Sequence, residues 1–212
     1  MKLLIDADYT VYKCCAAAEG EIDFGNDVIL VTSLFSEAYS CVKRDLDRIS
    51  EKFGAFSEMI LFFSDSCNFR KDIVPTYKGN RQRKKPCGYK RVIGKLKTEF
   101  KVITMPWLEA DDSLGIYATQ NPGNVIVSPD KDMKQIPGML FNLEESTLIN
   151  KTDGAKWHLL QSASGDNTDG YSGIPGVGIK RATKFFEEKG WSWKTLVEEY
   201  EAKGLTEKKV IF

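Results

Sequence analysis

One histidine, His158, stands in the 212 residues of this chain. A Ser-His-Asp or Cys-His mechanism would rest on it alone, and a packed or surface role is the plainer reading. The five cysteines (Cys14, Cys15, Cys41, Cys67, Cys87) form no CxxC pair. With so little imidazole beside them, the spacing does not suggest a structural zinc site, and reduced thiols are expected. No apolar run approaches the roughly 20 residues of a membrane span. The opening Met1-Lys2-Leu3-Leu4-Ile5 is interrupted by Asp6 and Asp8. No signal peptide and no membrane partner are therefore expected, and a cytoplasmic setting is the expectation. Charge of one overall sign is also missing, since 30 basic residues balance 30 acidic ones.

That neutrality hides an asymmetry. From Arg70 to Lys101 twelve Lys/Arg face only Asp72 and Glu99, a net of +10, so the rest of the chain carries −10. The common meaning of such a run is a solvated helix face. Here Tyr77 and Tyr89 are interleaved with Arg70, Lys71, Lys78, Arg81, Arg83, Lys84 and Lys85, with glycine or proline at 79, 86 and 88. A nucleic-acid contact fits that mixture better.

The acidic residues are patterned too. Ten of them fall in five clusters: Asp6-Ala7-Asp8, Asp65, Glu109-Ala110-Asp111-Asp112, Asp130-Lys131-Asp132 and Asp166-Asn167-Thr168-Asp169. Three clusters follow apolar runs that read as strands: Leu3-Leu4-Ile5, Ile60-Leu61-Phe62-Phe63 and Val125-Ile126-Val127. Carboxylates at strand ends converge on one crevice of an open α/β sheet. Gathered there, they repel one another unless cations neutralise them. Ligands that are all oxygen select Mg²⁺ or Mn²⁺, and two such ions are the usual apparatus for cutting phosphodiesters. Each cluster also has a plainer meaning. Asp8 alone reads as a helix cap, and the acids at 109–112 suit a helix start. Three acids within four residues exceed what capping needs. Glu109 and Asp111 are expected to face metal, with Asp112 supporting them.

A glycine turn follows, Gly173-Ile174-Pro175-Gly176-Val177-Gly178, then Lys180-Arg181. It supplies positive φ and free backbone N–H groups at a helix start, which can hold phosphate without reading bases. The alternative is an ordinary helix–helix turn. Trp191 and Trp193 are expected in a core.

Strands and helices alternate along the chain. Strands are expected over 2–6, 58–64, 101–105, 124–128 and 139–142. Helices are expected over 9–18, 33–53, 90–100, 109–120, 155–162, 179–188 and 193–203. Residues 19–26 read as a polar loop and 65–86 as a loop or mobile element. The pattern implies an α/β fold with a mostly parallel central sheet and helices on both faces, and an all-helical last third.

In this order and spacing, Leu4-Ile5-Asp6, Phe62-Phe63-Ser64-Asp65, Tyr77-Lys78-Gly79-Asn80-Arg81, Glu109-Ala110-Asp111-Asp112, Ser128-Pro129-Asp130-Lys131-Asp132 and Gly165-Asp166 through Gly178 resemble the flap-endonuclease superfamily. Within it, they are most similar to the bacteriophage 5′→3′ exonucleases. The resemblance implies a PIN-like nuclease core over 1–152, with a short basic arch at about 66–100, and a helix–hairpin–helix subdomain over 153–212. It implies one divalent ion on Asp6, Asp65, Glu109 and Asp111, helped by Asp112, and a second on Asp130, Asp132, Asp166 and Asp169. Lys13, Lys78 and Arg81 match positions near the scissile phosphate or the 5′ strand, and Tyr9 a stacking face. Gly176, Gly178, Lys180 and Arg181 would hold DNA, and a K⁺ would sit in the hairpin turn. The partner implied is DNA with a 5′ end, nick or flap, bound by a monomer, in host cytoplasm for a phage protein. Ala7 departs from the glycine usual after the first aspartate, and about thirty residues between Lys78 and Glu109 leave room only for a short arch. Little chain follows the last helix to form a further DNA clamp.

Two other readings compete. Asp6-Ala7-Asp8-Tyr9-Thr10 has the DxDxT form of a haloacid-dehalogenase-like phosphatase, with Asp6 as nucleophile and Asp8 as acid. That reading leaves Glu109–Asp112, the basic segment and the glycine turn unused. A DNA-binding module with a silent metal centre is the third.

Overall fold

The structure is a computed structural model and describes residues 1–79 and 84–205. In chain order the elements are β1 (Lys2–Asp6), α1 (Ala7–Ala17), β2 (Glu19–Asp23), β3 (Ile29–Ser33), α2 (Phe35–Phe53), β4 (Glu58–Phe62), α3 (Arg70–Ile73), α4 (Tyr89–Leu96), β5 (Lys101–Ile103), α5 (Ala110–Gln120), β6 (Val125–Val127), β7 (Gly138–Phe141), β8 (Ser146–Ile149), α6 (Lys151–Ser164), α7 (Ile179–Lys189) and α8 (Trp193–Glu201). A 3₁₀ turn covers Lys131–Gln135.

The chain divides into two compact units. The first holds Met1–Asn68, the stretch ending at Met133, and Gly138–Leu148. The second holds the stretch starting at Phe69, Lys134–Pro137, and the chain from Ile149 onward.

The first unit is built on a six-stranded sheet of order β5-β4-β1-β6-β7-β8. β1 lies parallel to both β4 and β6, with Ile5 level with Leu61 on one side and Val127 on the other. β5 and β7 extend the parallel pairing outward. Buried on both faces, these strands read as unbroken apolar runs rather than alternating ones. Leu3 and Ile5 pack with Val11, Val42, Leu46, Val92 and Leu96 of α1, α2 and α4. On the opposite face Phe62 meets Tyr117 of α5 edge-on, ring centroids 5.5 Å apart, and Leu114 is fully buried. Burying each such Leu or Ile is worth about 2 kcal/mol. The level register has a functional result: the chain leaves β1, β4 and β6 at one edge, and the acidic clusters begin there.

The second unit is helical. Leu159, Leu160 and Ala163 of α6, Ile174, Ala182 and Phe186 of α7, and Leu196 and Tyr200 of α8 form its core. The Tyr171 and Tyr200 hydroxyls each donate to the Ser162 carbonyl at 2.8 Å, satisfying polar groups inside that core. Trp191 stacks on Phe186 at 5.0 Å, as expected of a core residue. Trp193 is 53% exposed, against expectation, and meets the exposed His158 edge-on at 5.2 Å.

Residues 19–33 depart furthest from the sequence reading. They form an antiparallel hairpin, β2 with β3, turning through positive φ at Gly25, Asn26 and Asp27. Almost all of it is exposed on both faces, so no alternation of burial marks it in the sequence. β8 and the short α3 within 65–86 were likewise not expected. α6 begins at Lys151 rather than at 155, because Asn150 caps it by accepting from the Asp153 N–H at 2.8 Å. Among the described residues no helix is long and apolar enough to cross a membrane.

Candidate active site

The edge where β1, β4 and β6 end carries a connected set of acids. Asp6 caps α1: its side chain accepts from the Tyr9 N–H at 3.3 Å. Its other oxygen accepts from Ser128 Oγ, 2.8 Å away, just past β6. Ser128 Oγ in turn accepts from the Asp130 N–H at 3.1 Å, and Asp130 Oδ1 accepts from the Asp132 N–H at 2.9 Å. Burial, with Asp8 and Asp130 adding like charge, pushes the Asp6 carboxyl up to about 6.

Asp8 is not the cap that its position suggested. The cap falls two residues earlier, on Asp6, because the strand runs directly into the helix. Asp8 lies inside the first turn and ties three segments together. It accepts from the Ser64 N–H at 2.9 Å and from the Tyr89 hydroxyl at 2.5 Å. Burial and the Asp8 charge push the Tyr89 phenol well above its ordinary range, so it stays a donor. Thus Asp8 links α1, the end of β4 and α4, which begins in the basic segment. Ser64 Oγ accepts from the Ala110 N–H at 3.0 Å and fixes the start of α5.

Asp65 accepts from the Trp107 N–H at 2.8 Å and the Ser66 N–H at 2.7 Å, bonds that hold its carboxyl below the usual range. Glu109 caps α5, and Asp112 Oδ2 accepts from the Glu109 N–H at 3.1 Å. Asp112 therefore braces the helix start, while Asp111 accepts from the Asp112 N–H at 2.8 Å. Lys13 is tied back to α2 by an ion pair with Asp45 at 2.5 Å, its ammonium 5.7 Å from the Tyr9 ring centre. Tyr9 itself is 41% exposed. Lys84 is exposed, and the exposed Lys85 lies over the Tyr89 ring at 4.4 Å.

In the second unit, Asp166 and Tyr171 exchange backbone hydrogen bonds at 2.7 and 2.8 Å, closing the turn that carries Asp166 and Asp169. Asp166 Oδ1 accepts from the Thr168 N–H at 2.8 Å. Asp169 receives the Tyr77 hydroxyl at 3.1 Å and the Lys78 ammonium at 3.7 Å. Lys78 sits at φ 53°, a left-handed conformation that a hydrogen bond from its N–H to the Asp169 carbonyl at 3.3 Å helps hold. The Arg70 guanidinium stacks 4.8 Å from Phe69 and 5.8 Å from Tyr77, and Lys71 is exposed. Gly176 has φ 74°, as its turn requires, and Gly178 caps α7 in an extended conformation. Arg181 donates to the Gly176 carbonyl at 2.7 Å, a bond within the turn that the sequence reading did not foresee, and Lys180 is exposed. Arg81 and Arg83 lie outside the described residues.

Sequence reasoning missed Asp8 as a tie, Tyr89 as its donor, and Ser64 and Ser128 as braces. Their only sequence signal is proximity to an acidic cluster.

The fold and site are thus those of an α/β protein whose parallel strands end level in a set of carboxylates. The family model for the 5′-3′ exonuclease N-terminal resolvase-like domain matches residues 1–154, and the chain belongs to that family. It is 36% identical over 191 residues to the exodeoxyribonuclease of Enterobacteria phage T3, covering 83% of this chain and 63% of that protein. The exonuclease of Escherichia phage T7 is 35% identical over the same length, with the same coverage. The chain thus spans less than two thirds of these relatives. In fold it is similar to a zinc-bound T5 5′-exonuclease, TM-score 0.71 at 18% identity, over 100% of this chain and 88% of that one. It is also similar to the bacteriophage T5 flap endonuclease in complex with DNA and metal ions, TM-score 0.68 at 17% identity, over 99% and 87%.

Proposed function

We propose that this protein is a divalent-metal-dependent 5′ nuclease that hydrolyses phosphodiester bonds in DNA. The observation that carries the reading is the level edge of β1, β4 and β6. There a desolvated Asp6, flanked by Asp8 and Asp130, carries a charge at neutral pH that a bound cation would offset. The donors around it are oxygens, so the residues fit Mg²⁺ or Mn²⁺. Asp6, Asp65, Glu109 and Asp111 are proposed to hold one ion, with Asp112 bracing them. Asp130, Asp132, Asp166 and Asp169 are proposed for a second. Bound there, divalent ions supply a nucleophile at neutral pH and charge neutralisation at phosphate.

The chain's own residues position the substrate. Lys13 and Lys78 are proposed to face the reacting phosphate, with Arg81 in the same role. Each of the two lysines is paired with an aspartate, so each must exchange a carboxylate for phosphate when DNA arrives. Tyr9 offers a stacking face. Arg70, Lys71, Tyr77, Lys84 and Lys85, with Arg83, are proposed to track the strand. α6, the glycine turn and α7 are proposed as a helix–hairpin–helix within 153–212, whose Gly176, Gly178, Lys180 and Arg181 hold duplex phosphate. A K⁺ at the hairpin carbonyls would share the Gly176 oxygen with Arg181. The phosphatase reading is disfavoured by Asp8. Its carboxylate is occupied by the Ser64 N–H and Tyr89 hydroxyl, not presented as a general acid.

The test is digestion of 5′-labelled duplex, nicked, flapped and single-stranded DNA under Mg²⁺, Mn²⁺ or Ca²⁺. Cleavage from 5′ ends, flaps or nicks is expected with Mg²⁺ and Mn²⁺, and binding with little cleavage with Ca²⁺, whose looser coordination misplaces the water. Full activity after exhaustive chelation defeats the proposal.

A further inference from the structure

Away from the acidic edge, α1 and α2 bring a second kind of donor set together. Cys14 of α1 and Cys41 and Asp45 of α2 place two sulfurs and a carboxylate oxygen within 4.8 Å of one another. Cys41 and Asp45 lie one helical turn apart, so both face α1. Cys14 is fully buried, and its thiol approaches Asp45 Oδ2 at 3.7 Å. In a tetrahedral zinc site with Zn–S about 2.3 Å and Zn–O about 2.1 Å, sulfur and oxygen ligands stand about 3.6 Å apart. The Cys14–Asp45 spacing already matches that value. None of the three residues belongs to the proposed nuclease centre.

We propose that Cys14, Cys41 and Asp45 form a binding site for a thiophilic divalent cation, Zn²⁺ or Cd²⁺, with water as the fourth ligand. Two thiolates select soft ions over Mg²⁺ and Mn²⁺, so this site and an oxygen-lined centre would not compete for one metal. Binding releases the two thiol protons to solvent, and the ion takes their place. The buried Cys14 thiol is protonated without metal, since burial and then Cys41 push it upward. The competitor already present is Lys13, whose ammonium holds Asp45 Oδ2 at 2.5 Å. An ion on that oxygen displaces it, so Lys13→Ala should bind the ion more tightly. The site itself does not rest on the proposed nuclease activity.

The experiment is Cd²⁺ titration of the reduced full chain in saturating Mg²⁺, followed by the ultraviolet thiolate-to-cadmium charge-transfer band. A Cys67→Ser/Cys87→Ser background removes the exposed and half-exposed thiols outside the site. One equivalent of Cd²⁺ should raise the band, and Zn²⁺ should displace it. Cys41→Ser should lose the band and Asp45→Asn should weaken binding, both with unchanged far-ultraviolet circular dichroism. Cys14→Ser serves as a check only if its dichroism is also unchanged. No band at one equivalent, or a band of full strength in Cys41→Ser, overturns the proposal.

Discussion

In the sheet unit, Asp6 ends a parallel strand, and Asp65 and Asp130 stand just past the ends of two others, their register set by buried Leu, Ile and Val. In the helical unit, Asp166 and Asp169 stand in a short turn with no strand beneath them. The first arrangement is held by side-chain packing and tolerates small backbone adjustments in the loops. The second depends on two glycines where backbone passes directly against backbone. A Cβ on Gly165 would lie 2.5 Å from the Gly173 nitrogen, and one on Gly173 would lie 2.4 Å from the Gly165 nitrogen. Both glycines also have positive φ. Packing can place a carboxylate by bulk; this turn places one by the absence of bulk.

The sharpest break is in the proposed chemistry. Asp111→Asn or Asp130→Asn should lower single-turnover cleavage by about 1000-fold, with DNA affinity equal or higher. Each change removes one charge and keeps the shape. Near-normal turnover at saturating Mg²⁺ would remove that residue from the ligand set.

Next comes the contrast between packing and close approach. Gly165→Ala or Gly173→Ala should destabilise the helical unit by about 3 kcal/mol or more, combining strain with a backbone clash. Gly176→Ala meets only the flexible Arg181 guanidinium at 3.8 Å. It should cost about 1 kcal/mol. Thermal and urea unfolding of the three variants would test the ranking, and equal losses would deny the special role of the 165–173 crossing.

Asp6 offers a pH test of the sheet unit. Its carboxyl titrates near 6 when folded and 3.8 when unfolded. Between those values the folded state holds the extra proton, so metal-free stability should fall as pH rises from about 4 to about 6 and then level off. Asp6→Asn should lack this decline and gain about 3 kcal/mol at neutral pH without metal. Mg²⁺ should stabilise the parent protein more than the variant, which keeps the ligands of the second ion. A decline of equal size in Asp6→Asn would place its origin elsewhere.

The smallest expected effect separates remote from local cations. Alanine at Lys180 and Arg181 should flatten the salt dependence of DNA binding by about one log–log unit per lost phosphate contact and spare the saturated cleavage rate. Lys78→Ala should lower the single-turnover rate more than affinity. Equal rate losses in both would end the distinction.

Much of this was legible beforehand because the signals are local. Leu3-Leu4-Ile5 before Asp6 can be little other than a buried strand, and the 3.6-residue spacing of Ala38, Val42, Leu46 and Ile49 marks α2. The acidic clusters and the glycine turn were visible for the same reason. The hairpin at 19–33 was not, since exposure on both faces leaves no alternation to read. The cap position was misread because capping depends on where a strand hands over to a helix, not on which acid is present.

By itself, then, the sequence determined the types of the elements that carry a buried face, the positions of the acids and the basic segment, and the conformational demand of the glycines. These depend on residues within a few positions of one another. The tertiary structure decided the partners: Tyr89 and Ser64 on Asp8, Ser128 on Asp6, Asp45 on Lys13, and Cys14 beside Cys41. Those pairs are separated by 27 to 122 residues. Only the register of parallel strands and the packing of helices on the sheet brings them within bonding distance, and a one-residue slip of a strand would turn its side chains to the other face.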